Sequence, residues 1–121
     1  MLYLEKVTKK YSEKTTALED VNFDVSRGEF VTIVGHSGAG KTTILKMITT
    51  EEIPTVGKVF FESLDVHSLR KSELPKYRRK IGVVFQENRL IPNKTAYENI
   101  AFAMEASGRT EHEIVADVPE I

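Results

Sequence analysis

The stretch that decides the reading is Val34-Gly35-His36-Ser37-Gly38-Ala39-Gly40-Lys41-Thr42-Thr43. Residues Gly35 to Thr42 match the spacing G-x-x-x-x-G-K-[ST] in full. Each residue type has a physical reason to be there. Glycines admit positive φ and let backbone N–H groups approach an anion closely. A helix starting near Lys41 would aim its dipole and its unpaired N–H groups at the same point. Lys41 would add a full positive charge for the β- and γ-phosphates, and the Thr42 hydroxyl would be placed to ligate Mg²⁺. The pattern predicts a phosphate-binding loop for a nucleoside triphosphate.

The flanks agree with that reading. Phe30 to Val34 (FVTIV) is a nearly continuous apolar, β-branched run, as in a parallel strand covered on both faces. After the loop, Ile44, Leu45, Met47 and Ile48 fall at helical spacing. Further upstream, Leu2, Leu4 and Val7 suggest a loosely patterned first strand. Val21, Phe23 and Val25 alternate as a half-buried strand does, and Ser26 to Glu29 reads as a turn. Downstream, Pro54 and Gly57 bracket a loop, and Lys58 to Phe61 is a short strand. Ser68 to Lys80 is polar and helical in part, limited or kinked by Pro75. Ile81 to Phe85 (IGVVF) is a second buried-type strand. Thr95 with Glu98, and Thr110 with Glu113, are capping-box patterns that open two further helices. The first of these turns Ile100, Ala101, Ala103 and Met104 inward and stops at Gly108.

Bulk properties narrow the field. The 121 residues suit one modest domain. With 17 basic and 18 acidic side chains the net charge is −1, which argues against a nucleic-acid partner. There is no cysteine, so disulfides and thiol chemistry are excluded. His36, His67 and His112 are far apart and read as surface or loop residues, not metal ligands. The N-terminus, MLYLEKVTKKY, has no signal-peptide pattern. No window approaches the roughly 18 apolar residues of a membrane span, and a cytoplasmic location is expected. The basic run Lys76 to Lys80 is either a solvated helix face or a contact with a membrane partner or lipid headgroups.

Some thirty residues of strand and turn precede the loop, more than a small GTPase has. Together with Lys9-Lys10-Tyr11 upstream and Ile81-Gly82-Val83-Val84-Phe85-Gln86 downstream, this arrangement resembles the ABC ATPase family. The stretches GHSGAGKTT, PTVGKVFF and LPKYRRKIGVVFQENRLIPNKTAYENIAFAMEASGR resemble its FtsE branch, which serves cell division. Glu87 stands where the family commonly has aspartate, and Ser63-Leu64 replaces a glycine-containing turn.

The resemblance implies an α/β fold of the P-loop NTPase type. Residues 1–121 would be the N-terminal half of one nucleotide-binding domain, an antiparallel β subdomain with an incomplete parallel core sheet and helices. It implies ATP and Mg²⁺ as cofactors. The ATP site would comprise Tyr11, Gly35, His36, Ser37, Gly38, Ala39, Gly40, Lys41, Thr42, Thr43 and Gln86. In it Tyr11 stacks on adenine, and Thr42 and Gln86 serve the Mg²⁺. It further implies an FtsX-like integral membrane partner, a head-to-tail homodimer and attachment to the inner face of the membrane through that partner. An ATPase of a lipoprotein or small-molecule exporter, and a nucleotide-binding module that never hydrolyses, are the alternatives. The family's signature, its Walker B carboxylates and its switch histidine do not occur before Ile121. The 121 residues alone are therefore expected to be marginally stable, with no catalytic residue and no hydrolysis.

Overall fold

The computed structural model describes residues 1–86 and 89–118. They form two units, Met1–Ile81 and Gly82–Ile121. The first is an antiparallel sheet with helices. Its strands are β1 (Leu2–Ser12), β2 (Thr15–Val25), β3 (Val56–Phe61) and β4 (Leu64–Asp65), in the order β2-β1-β3-β4. Helix α1 (Lys41–Ile48) follows the glycine loop, a 3-10 turn spans Val66–Ser68, and α2 (Leu74–Arg78) ends near the unit's boundary.

The loose pattern of β1 has a structural cause. Leu4 and Val7 are both fully buried although they are three residues apart, a spacing that alternation forbids. Leu4 pairs with Phe23 and Val7 with Val21, so β1 carries one extra residue there. Lys6, at φ 48°, forms this bulge. The Asn22 carboxamide accepts from the Lys6 N–H (2.7 Å) and donates to the Asp20 carbonyl (2.8 Å). Asp20, at φ 45°, is the bulge on β2 that restores the register. On the other side of β1, Gly57 has φ 86°, and a Cβ there would lie 2.2 Å from the Lys6 carbonyl oxygen. Only glycine lets β3 approach the bulge this closely.

The core joins the sheet to α1 and α2. Leu4, Val7, Leu18, Val59 and Val66 meet Ile44 and Met47 of α1 and Tyr77 of α2. Of the four apolar α1 residues at helical spacing, Leu45 remains 37% exposed. The end of α1 is tied down by the basic run. Arg78 donates from Nε to the Thr49 carbonyl (3.0 Å) and from Nη2 to that of Thr50 (3.2 Å). Buried Tyr77 donates its hydroxyl to the Ile48 carbonyl (2.6 Å). These side chains satisfy carbonyls that a helix end leaves without partners. The four basic residues of the run remain exposed, as on a solvated helix face, while Tyr77 turns inward and Arg78 also reaches the end of α1. His67 is half-buried in the 3-10 turn, and burial pushes its imidazole pKa below the ordinary value.

Phe30–Val34 and Ile81–Phe85 correct the sequence reading, because neither forms a strand. The four strands pair only with one another among the described residues. Phe30 and Val34 are 92% and 84% exposed, and Val84 is 97% exposed. β-branched composition favours extended backbone, but a ladder exists only where a neighbour supplies the other half of each hydrogen bond. The antiparallel subdomain with its helices is thus present, while the parallel runs lack ladders.

The second unit contains α3 (Ala96–Ala106) and α4 (Glu111–Asp117). Both capping boxes form as expected. The chain leaves α3 through Gly108 at φ 92°, with the Arg109 N–H donating to the Met104 carbonyl (3.0 Å). Ala101 and Met104 are half-buried, but Ile100 and Ala103 are exposed, contrary to their expected inward placement. Glu87 lies outside the described residues.

Candidate functional site

The loop from Gly35 to Gly40 folds over the side chain of its own lysine. Lys41 Nζ donates to the carbonyl oxygens of Gly35 (2.7 Å) and His36 (2.8 Å). An ammonium has three donors, so the two carbonyls hold its position and leave one donor over. The Ala39 N–H closes the turn onto the His36 carbonyl (3.2 Å), and His36 Nδ1 lies 2.7 Å from the Ser37 carbonyl oxygen.

The glycines of the motif have different jobs. Gly38 and Gly40 both have positive φ, 81° and 86°. A Cβ on Gly38 would meet nothing within 4 Å, whereas on Gly40 it would lie 2.6 Å from the Ala17 carbonyl oxygen and from Leu18 Cδ2. Gly40 therefore sets how closely the start of α1 sits on β2. A Cβ on Gly35 would lie 3.0 Å from that of Ala39, so this glycine lets the loop close on itself.

Gly40 is also the N-cap of α1. No side chain caps this helix, and no acid occupies its first turn. The contrast with α3 and α4 is chemical. There a threonine hydroxyl and a glutamate carboxylate occupy the N-terminal N–H groups and place negative charge on them. At α1 those N–H groups and the positive end of the dipole are left to whatever anion arrives. The donor set is right for phosphate oxygens: bare helix N–H groups, an ammonium and the exposed Thr42 hydroxyl. That hydroxyl and phosphate oxygens are also the hard oxygen donors that Mg²⁺ takes.

Thr43, the next residue, points inward and is 9% exposed. Its Oγ1 lies 3.5 Å from the Tyr11 hydroxyl, which brings the end of β1 to the first turn of α1. The Tyr11 residue is 51% exposed. Tyr11 thus meets Thr43, at the end of the motif, within one unit. Gln86 is exposed and belongs to the other unit. In that unit the Arg89 guanidinium lies 3.6 Å from the Phe85 ring centroid. Asn99 accepts from the Ile91 N–H (2.8 Å) and donates to the Thr95 carbonyl (2.9 Å), fixing the turn before α3.

Sequence reasoning missed two residues beside Tyr11. Lys9 Nζ sits 5.2 Å from the Tyr11 ring centroid and 2.8 Å from Glu52 Oε2. The available signal was strand alternation, since residues two apart share a face.

Residues 18–120 match the ABC transporter family. The chain is 43% identical over 122 residues to the cell division ATP-binding protein FtsE of Mycobacterium tuberculosis, covering all of this chain and 53% of that protein. It is 38% identical over 124 residues to the methionine import ATP-binding protein MetN of Desulfitobacterium hafniense, covering all of this chain and 36% of the other. Its structure resembles that of a dimeric post-hydrolysis state of the ATP-binding cassette MJ0796 bound to ADP and Pi. There the TM-score is 0.85 at 38% identity, over 98% of this chain and 54% of that one. The chain thus spans about half the length of the FtsE protein and the solved cassette it matches.

Proposed function

Because the chain belongs to the ABC transporter family, we propose that it is the N-terminal portion of an FtsE-like ATP-binding subunit that holds MgATP in the loop Gly35–Thr43. The observation that carries this reading is the bare N-terminus of α1 beside a lysine already aimed by two loop carbonyls. Lys41 neutralises the β- and γ-phosphates while backbone N–H groups orient them. The Thr42 hydroxyl would hold the Mg²⁺, and the family resemblance gives Gln86 a role toward the same ion. When bound, that ion offsets charge on the phosphates. Tyr11 offers its half-exposed ring to adenine. His36, Ser37 and Ala39 shape the loop around the triphosphate.

None of these groups is a general base for water. The 121 residues on this reading bind nucleotide without turning it over. The functional unit is a head-to-tail dimer, a reading supported by the dimeric form of MJ0796. It is cytoplasmic and sits at the inner face of the membrane by way of an FtsX-like partner, through which ATP binding acts in cell division. No helix among the described residues is long and apolar enough to cross a membrane. Similarity to MetN supports a second reading, the ATPase subunit of another ABC transporter. Co-expression with each type of membrane subunit separates the two. Co-purification of the protein with an FtsX-type partner alone supports cell division, and co-purification only with a transporter's membrane subunit refutes it.

A further inference from the structure

Lys9 is unusually confined for a lysine, with 14% of its side chain exposed. Its ammonium donates to the Ile53 carbonyl (2.8 Å) and forms an ion pair with Glu52 at 2.8 Å. Both partners lie in the segment that connects α1 to β3. This hydrogen bond from Lys9 is the main reason that the Glu52 carboxyl titrates below the usual carboxylate range. Held there, the cation lies 5.2 Å from the Tyr11 ring centroid, within cation–π range. The far end of the ring is met by Thr43 Oγ1 at 3.5 Å, and the residue as a whole is 51% exposed.

We propose that Lys9, seated by Glu52 and the Ile53 carbonyl, is a positioning residue that fixes the Tyr11 ring from one face and leaves the other to a purine base. A cation on one face draws π density toward itself, and the depleted opposite face stacks better on an electron-rich base. Pinning the ring before the base arrives also lowers the ordering cost of binding. The inference rests on the reading of Tyr11 as the base platform.

The test compares MgATP with magnesium tripolyphosphate, which has the phosphates but no base, by titration calorimetry on the protein as encoded. Lys9→Met is expected to weaken MgATP binding about threefold to tenfold and leave tripolyphosphate binding unchanged. Lys9→Arg, which keeps a cation, restores most of the loss, and Glu52→Gln, which loosens the seat, shows part of it. In a Tyr11→Ala background Lys9→Met has no further effect. An equal loss for both ligands overturns the inference, because Lys9 then acts through the loop or the fold. Unchanged MgATP binding in Lys9→Met, with a selective loss in Tyr11→Ala, also overturns it while sparing the base platform. If Tyr11→Ala itself costs MgATP no more than tripolyphosphate, the platform reading fails and takes the inference with it.

Discussion

Gly38 and Gly40 belong to one motif and have nearly the same backbone conformation, φ 81° and 86°. Alanine at either position has the strain of a left-handed conformation, about 1–2 kcal/mol. They differ in what surrounds the added carbon. At Gly38 it enters open space, so the conformational cost is the whole effect. At Gly40 it would lie 2.6 Å from the Ala17 carbonyl oxygen, a backbone atom in β2 that cannot move without disturbing the sheet. Forced overpacking of this kind adds about 1–3 kcal/mol. Gly40→Ala should therefore destabilise by about 2–5 kcal/mol in total, and Gly38→Ala by about 1–2 kcal/mol. Urea unfolding followed by circular dichroism measures both. Gly40→Ala should also weaken MgATP binding, because the first turn of α1 is pushed off its seat. Equal stability of the two variants would refute the claim that Gly40 sets the approach of α1 to β2.

Three further outcomes follow from how the first unit is tied together. Burial pushes the Tyr77 phenol up to about 12, while an unfolded tyrosine ionises near 10. Its stabilising contribution is complete below pH 10 and is lost as pH rises through about 12, amounting to about 2–3 kcal/mol. Alkaline unfolding should show that extra loss in the parent and not in Tyr77→Phe. Arg78→Met removes both donors to the carbonyls after α1 and should cost about 1 kcal/mol in urea unfolding, with no change in circular dichroism of the native state. Thr50 follows the end of α1 at φ 61°, a conformation that suits glycine better than a β-branched residue. Thr50→Gly should raise stability by about 0.5–1 kcal/mol and with it the urea midpoint, and a lowered midpoint would show that its hydroxyl contact to the Thr49 carbonyl matters more.

The local signals in the sequence translated well where the cause was local. The glycine loop, the helix at Lys41, both capping boxes and the stop at Gly108 each depend on residues within one or two turns. The class of fold came from the resemblance to a known family rather than from periodicity. What failed was non-local. Phe30–Val34 has the composition of a buried strand, but its ladder needs a neighbour that composition does not provide. The spacing of Leu4 and Val7 made sense only once the bulge at Lys6, and Asn22 across from it, were visible. Arg78 and Tyr77 looked like part of a basic run because the carbonyls they satisfy lie 28 and 29 residues away. Around Tyr11 the aromatic was legible and Lys9 could be found by alternation, but Glu52 could not. A strand tip and a distant loop meet only after the sheet has formed.

The central claim is that the bare start of α1 and the preset Lys41 form a triphosphate site. Titration calorimetry of MgATP against the parent protein and Lys41→Ala tests it most directly. A charge-assisted hydrogen bond to phosphate is worth about 1.5–3 kcal/mol, so Lys41→Ala should weaken binding at least about tenfold. Failure of the parent to bind MgATP, or equal affinity in Lys41→Ala, would contradict the account.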